Sequence, residues 1–318
     1  MSAPKRHHYV PRVYLEEFTS DDGKLLVIEK PSGKCFPSVP SNAAVIAHQN
    51  TVYFDDGTKD QETVESFFGN IEQDYPRYLQ QVRDGYIDGD TIDFFVTLSI
   101  HQRMRTPRVR KQLADLVVQF DEKGALDHLK HTFSAHELSL LNKAKGRDKK
   151  ALNQLGLSLS GHYAISTGLI LEGMRFAFLR NETDLNLVSC DNPATVSGVS
   201  IDRRQTTGLL PLPSNRRVLI FPISRDFLLY GDTTLKSELG FIVFRDKPTL
   251  RRATVTRVNN LTALSADRYV FQSEDQARPQ TSCIRNRLDD EKQALRVFRG
   301  PFSKCLSEAV RDLRSLAL

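Results

Sequence analysis

The chain has 318 residues, of which 40% are hydrophobic and 26% charged, so it is globular rather than disordered and long enough to bury a core without a metal or disulfide staple. A net charge of +5 and a pI near 9.0 are mild for this length, and total charge alone does not specify a nucleic-acid partner. Cys35, Cys190, Cys283 and Cys305 form no C-x-x-C pair, which argues against a zinc ribbon or a small disulfide scaffold and for reduced thiols.

The first stretch, Lys5 to Phe18, carries adjacent histidines, Pro11 and an apolar pattern of Tyr9, Val10, Tyr14, Leu15 and Phe18. Chain ends are usually polar and frayed; this loading predicts a segment that docks into the body and positions His8. In an extended backbone His7 points the other way, so the two do not form one metal clamp. The charged start lacks the apolar core of a secretory signal, and no window reaches the length of a membrane span. A cytoplasmic protein with no membrane partner is expected.

Gly23–Lys30 reads as a strand between turn signals, and Lys34–Val39 as its return, making an N-terminal hairpin; Thr51–Phe54 is a further short strand. Helical spacing then runs from Gln61 to Val82, with Pro76 as a kink, and from Asp90 onward, where Thr106-Pro107 bends or restarts the helix. Ser134 with Glu137 is a capping box. Tyr163 to Leu179 is apolar at helical spacing and predicts a central buried helix. Strands are expected at Leu185–Ser189, Arg217–Ile223 and Phe227–Gly231, with a long loop at Gly198–Arg216. Ala253–Val258 and Ala266–Phe271 read equally as strand or helical turn, and 289–318 as a charged amphipathic helix. The expected fold class is α+β: a central helical group (about 60–182) packed on a mainly antiparallel sheet from the second half (about 183–275), joined by the N-terminal hairpin in one interlocked domain, residues 1–318.

Three stretches carry candidate chemistry. His8 titrates near neutrality and can serve as acid, base or metal ligand. Asp191 and Asn192 stand at the end of a strand that Pro193 stops; Asp-Asn-Pro is also good turn chemistry. His101 to Lys111 is strongly basic, and Arg105, Arg108, Arg110 and Lys111 are the candidate phosphate contacts; the alternative is a solvated helix face. Arg103 lies near the apolar stripe, and a buried Arg needs a partner, for which Asp191 is a candidate.

The pattern Lys5-Arg6-x-His8-Tyr9-Val10-Pro11-x-x-Tyr14-Leu15-x-x-Phe18 resembles the start of bacterial domain of unknown function family 4238. Gln102-Arg103 with Arg105-Thr106-Pro107, and Ser189-Cys190-Asp191-Asn192-Pro193, resemble later family segments, with Cys190 where the family usually has Ser. The resemblance implies that His8, Arg103, Asp191 and Asn192 belong together, either as one polar site or as a structural pairing that pins the N-terminus to the sheet.

Two functions follow as expectations. One is a hydrolase of phosphodiesters, nuclease-like, with His8 as general base or metal ligand, Asp191 orienting it or binding a divalent metal, and Arg103 neutralising phosphate charge. The other is a non-catalytic module that binds nucleic acid or protein, in bacterial defence or stress response.

Overall fold

The computed structural model describes residues 6–128, 130–171, 173–199, 205–207, 216–233 and 249–274. In chain order the first half gives β1 (Arg6–His8), α1 (Arg12–Glu16), β2 (Leu25–Glu29), β3 (Cys35–Ser38), β4 (Val45–Ala47), β5 (Val52–Tyr53), β6 (Lys59–Asp60), α2 (Thr63–Glu72), α3 (Tyr75–Asp84), α4 (Gly89–Arg105), α5 (Pro107–Glu122), α6 (Ala135–Lys145) and α7 (Lys149–Leu171). The second half gives β7 (Arg175–Asn181), β8 (Ser189–Cys190), β9 (Thr195–Val199), β10 (Gln205–Thr207), β11 (Arg216–Pro222), β12 (Phe227–Asp232), β13 (Thr249–Leu250), α8 (Arg252–Ser265) and β14 (Tyr269–Ser273). This is the α+β class that the pattern predicts.

The largest sheet has the order β10-β9-β11-β12-β7-β13 and is antiparallel except where β13 runs parallel to β7. Side chains alternate across it as the pleat requires. On β7, Phe176 and Phe178 join a core with the helices, while Ala177 and Leu179 join the one beneath α8 through Val255, Val258 and Leu261. A second sheet, β3-β2-β14-β8, unites the N-terminal hairpin with strands from the second half. The hairpin therefore adds to second-half strands, in a sheet of its own.

Local chemistry sets the helix boundaries. Asp88 caps α4 by accepting from the Thr91 amide at 2.8 Å, and Ser134 and Glu137 form the capping box of α6. Pro76 and Pro107 open new helices, α3 and α5, instead of kinking old ones, because proline fits the first turn, where its missing N–H is not needed.

The expected helix over Tyr163–Leu179 ends at Leu171, and Arg175–Asn181 is a strand of the large sheet, so the helical part stops short of 182. Gly173 turns the chain at φ +76°, a conformation that glycine adopts without cost. The run from Phe176 to Leu179 is buried on both faces, and such an apolar run carries no period to separate strand from helix. The same ambiguity resolves oppositely at 252–265, which is α8, while Tyr269–Ser273 is a strand. Of Leu185–Ser189 only Ser189 is strand, paired onward through Cys190. The expected helix at 289–318 lies outside the described residues.

The opening segment docks as its composition predicts. Val10, Tyr14, Leu15 and Phe18 have no exposed surface, and they pack with Tyr75, Phe95, Phe176 and Phe221 in the core between helices and sheet. Tyr14 stacks on Phe221 at 5.6 Å and lies 5.0 Å from Phe18, pairs worth about 0.5–1.5 kcal/mol each beyond area burial. Its hydroxyl donates to the Pro222 carbonyl at 2.7 Å and shares a 2.9 Å hydrogen bond with the Ser189 hydroxyl, so the buried phenol is satisfied.

Candidate functional site

The C-terminal end of α4 is where the three candidate segments meet. Arg103, almost fully buried, donates from Nη1 to the Ala194 carbonyl at 2.9 Å and so ties α4 to the stretch after β8. Two residues on, Arg105 donates to the His8 carbonyl, pairs with Glu72 and lies 4.4 Å over the Phe68 ring, which ties the same helix end to β1. The third side of the junction is closed by Tyr9, whose phenol is held above its ordinary range by burial and then by the nearby Asp191 carboxylate.

His8 is half-buried, and the arginine beside it is Arg105, where Asp191 or Arg103 was expected. Burial, and then the Arg105 charge, lowers its pKa; the Pro40 and Ser41 backbone and Glu65 oppose this more weakly. The imidazole is therefore neutral at pH 7, and its Nε2 is buried with no hydrogen-bond partner among the described residues. His7 is the fully buried histidine of the pair. Its Nδ1 accepts from the Asn50 amide at 2.8 Å and lies 3.7 Å from Glu65. Alternation along β1 separates the two rings as expected but sends His7 inward.

Asp191 is buried and spends its carboxylate on backbone. Oδ1 accepts from the Asp267 amide at 2.7 Å, and Oδ2 accepts from Arg268 at 2.7 Å and Tyr269 at 2.9 Å. None of its hydrogen bonds among the described residues goes to His8 or Arg103. Burial pushes its pKa up to about 6, against the downward pull of the three amides. Asn192 is anchored nearby: its side-chain amide donates to the Ser265 carbonyl at 3.2 Å, and its own carbonyl accepts from the Ser265 hydroxyl at 3.2 Å. Cys190 is fully buried, with its thiol pushed up to about 12 by burial, so it carries no thiolate for chemistry at neutral pH.

The basic run divides between surface and interior. Arg108 and Lys111 are exposed, and Lys111 pairs with Asp115 one turn on at 2.6 Å. Arg105 and Arg110 are corrected from phosphate contacts to interior residues. Arg110 has no exposed surface and donates to the Met104 carbonyl at 2.7 Å and the Gln49 carbonyl at 3.0 Å, closing the break between α4 and α5. The signal was in the sequence: Arg110 stands three residues before Leu113 and seven before Val117, on the apolar stripe of its helix.

All three converging segments fall within one family model, which matches residues 6–276. The chain belongs to the family described as protein of unknown function DUF4238. Comparison with curated proteins and with solved structures gives no match.

The DUF4238 match also contains polar groups that sequence reasoning passed over. Gln102 is 1% exposed, and neither atom of its side-chain amide has a hydrogen-bond partner; the Thr195 hydroxyl and Asn192 Oδ1 are buried and unpartnered as well. Leaving such a group unpaired costs about 1–3 kcal/mol, so their concentration at one junction marks a place built to meet something polar. Gln102 was detectable as the polar residue four after Leu98 and seven after Phe95 on the buried stripe. Lys30, by contrast, is structural: its ammonium donates to the Leu264 and Ala266 carbonyls at 2.9 and 2.7 Å, capping the C-terminus of α8. Among the described residues no group of three His, Cys, Asp or Glu stands close enough to hold a metal ion, and no helix is long and apolar enough to cross a membrane.

Proposed function

We propose that the junction at the end of α4 receives a phosphodiester and that the protein is a hydrolase of nucleic-acid type, with His8 as general base. The observation that carries this reading is the state of His8: a neutral imidazole with an unpartnered ring nitrogen, half-open to solvent, beside two buried arginines. A neutral imidazole can take the proton of an attacking hydroxyl, and fixed cations favour the phosphate on which negative charge grows. Arg103 is the cation assigned to the phosphate. Asp191 leaves the reacting set, because its oxygens are committed to the turn at 267–269, and Asn192 goes with it as a residue that positions this turn.

The test is incubation of the purified protein with RNA and with DNA, with and without divalent cations. Wild type should cleave at least one of them, and His8→Ala should lose that cleavage while unfolding at the same denaturant concentration. Equal inactivity of both proteins on every substrate defeats the hydrolase reading. The second reading, a non-catalytic module that binds nucleic acid, is favoured by the structural commitment of Asp191. It predicts salt-dependent retention of nucleic acid without cleavage, weakened by changes at the exposed Arg108 and Lys111.

A further inference from the structure

The same junction carries more than phosphate chemistry. At about 100° per residue, Gln102 projects between Arg103, about 100° to one side, and Arg105, about 60° to the other. Those arginines bond Ala194 and His8, so the Gln102 amide faces the seam between the stretch after β8 and β1. Its donor and its acceptor are both unpartnered, and the unpartnered groups that those segments contribute are the Thr195 hydroxyl, Asn192 Oδ1 and His8 Nε2.

A phosphate offers only acceptors at neutral pH. It can satisfy the amide N–H and the hydroxyl, but not Gln102 Oε1, Asn192 Oδ1 or a neutral His8 Nε2. The groups in the seam therefore call for a ligand edge that donates and accepts at adjacent positions, and a nucleobase has such an edge. A glutamine amide pairs with adenine in this bidentate way, accepting from the exocyclic amine and donating to the ring nitrogen. We propose that Gln102 is the base-reading residue of the site, holding a nucleobase of the nucleic-acid ligand in the seam between His8 and Thr195, with adenine as first choice. This rests on the phosphodiester reading above and adds to it the part of the ligand that is recognised.

The experiment is titration of the full chain with short single-stranded oligonucleotides of A, C, G or U, and with an abasic oligonucleotide of the same length. Wild type should bind one base series about tenfold or more tightly than the abasic strand, the discrimination that one bidentate pair supplies. Gln102→Leu should bring that series down to the abasic level while leaving the unfolding midpoint unchanged or raised, since it removes an unpaired polar group. Gln102→Glu, which keeps the acceptor and loses the donor, should reorder the four bases. Equal binding of all strands including the abasic one, as an ordered-water filling of the seam would give, overturns the inference and leaves the phosphodiester reading standing. So does discrimination that survives in Gln102→Leu, or a marked loss of stability in that variant, which would place the amide's partners inside the fold. Failure of every strand to bind removes the phosphodiester reading itself.

Discussion

The role of Asp191 can be tested by truncation. Asp191→Ala removes a buried carboxylate and leaves the amides of Asp267, Arg268 and Tyr269 without their acceptor. Hydrogen bonds to a charged group contribute about 1.5–3 kcal/mol each when removed singly. They do not add fully, because one loop carries all three and relaxes as a unit. The desolvation cost of the lost carboxylate is recovered in part, since burial already raises its pKa to about 6. The expected net loss is about 3–5 kcal/mol, the range for breaking a buried charged network. With a urea m-value of about 3 kcal/mol/M this moves the midpoint down by about 1–1.5 M. Asp191→Asn, which keeps one acceptor oxygen, should fall between. Equilibrium urea unfolding measures both. A midpoint for Asp191→Ala within about 0.3 M of wild type, together with lost activity or ligand binding, would refute the clamping argument and return Asp191 to the reacting set.

Other elements give independent checks. His101 is held at about pKa 4 by burial and then by Arg105, below the 6.5 of the unfolded chain, so its contribution is complete above pH 6.5 and is lost as pH falls towards 4. The full contribution is about 3 kcal/mol. His101→Phe keeps the stacking on Phe67 and takes no proton, so its urea midpoint should fall less than wild type between pH 7 and pH 4; parallel pH profiles would count against this. In α7 a Cβ added at Gly156 would stand 2.4 Å from the Arg110 carbonyl oxygen, so Gly156→Ala should cost about 1–3 kcal/mol despite its better helix propensity, and an unchanged thermal midpoint would mean that α5 and α7 do not approach this closely. Lys30→Met keeps the stem and removes the cation from the end of α8, with an expected loss of about 1–2 kcal/mol by denaturant titration. No loss would show that solvent caps this helix equally well.

What the sequence makes legible here follows from the range over which each signal acts. The docking of Tyr9 to Phe18 is readable because apolar residues at a chain end have nowhere else to go. The capping box at Ser134 and the prolines opening α3 and α5 are readable because each acts within one turn of its own position. His7 is different: its burial depends on an amide 43 residues away, and β1 alone says only that the two histidines diverge. The exchange of Asp191 from His8 to the turn at 267–269 has the same origin. Its partners lie 76 to 78 residues on, and no local pattern distinguishes backbone amides from an imidazole as the group that a buried carboxylate meets. Arg105 and Arg110 were misplaced because charge was weighed above helical position.

The Tyr14 hydrogen bonds set an order of events in synthesis. Ser189 lies 175 residues after Tyr14, and Pro222 lies 208 after it. At about 5–20 residues per second the phenol leaves the ribosome roughly 10–40 s before its last acceptor exists. During that interval Val10, Tyr14, Leu15 and Phe18 form an exposed apolar segment on a nascent chain, of the kind that chaperones hold. Ribosome-bound chains stalled before residue 189 should therefore be cleaved by protease within this segment, and chains extended past Phe271 should be protected there. Protection in the shorter chains would mean that the helices alone give the segment its seat. The part of the protein made first is thus among the last to be secured.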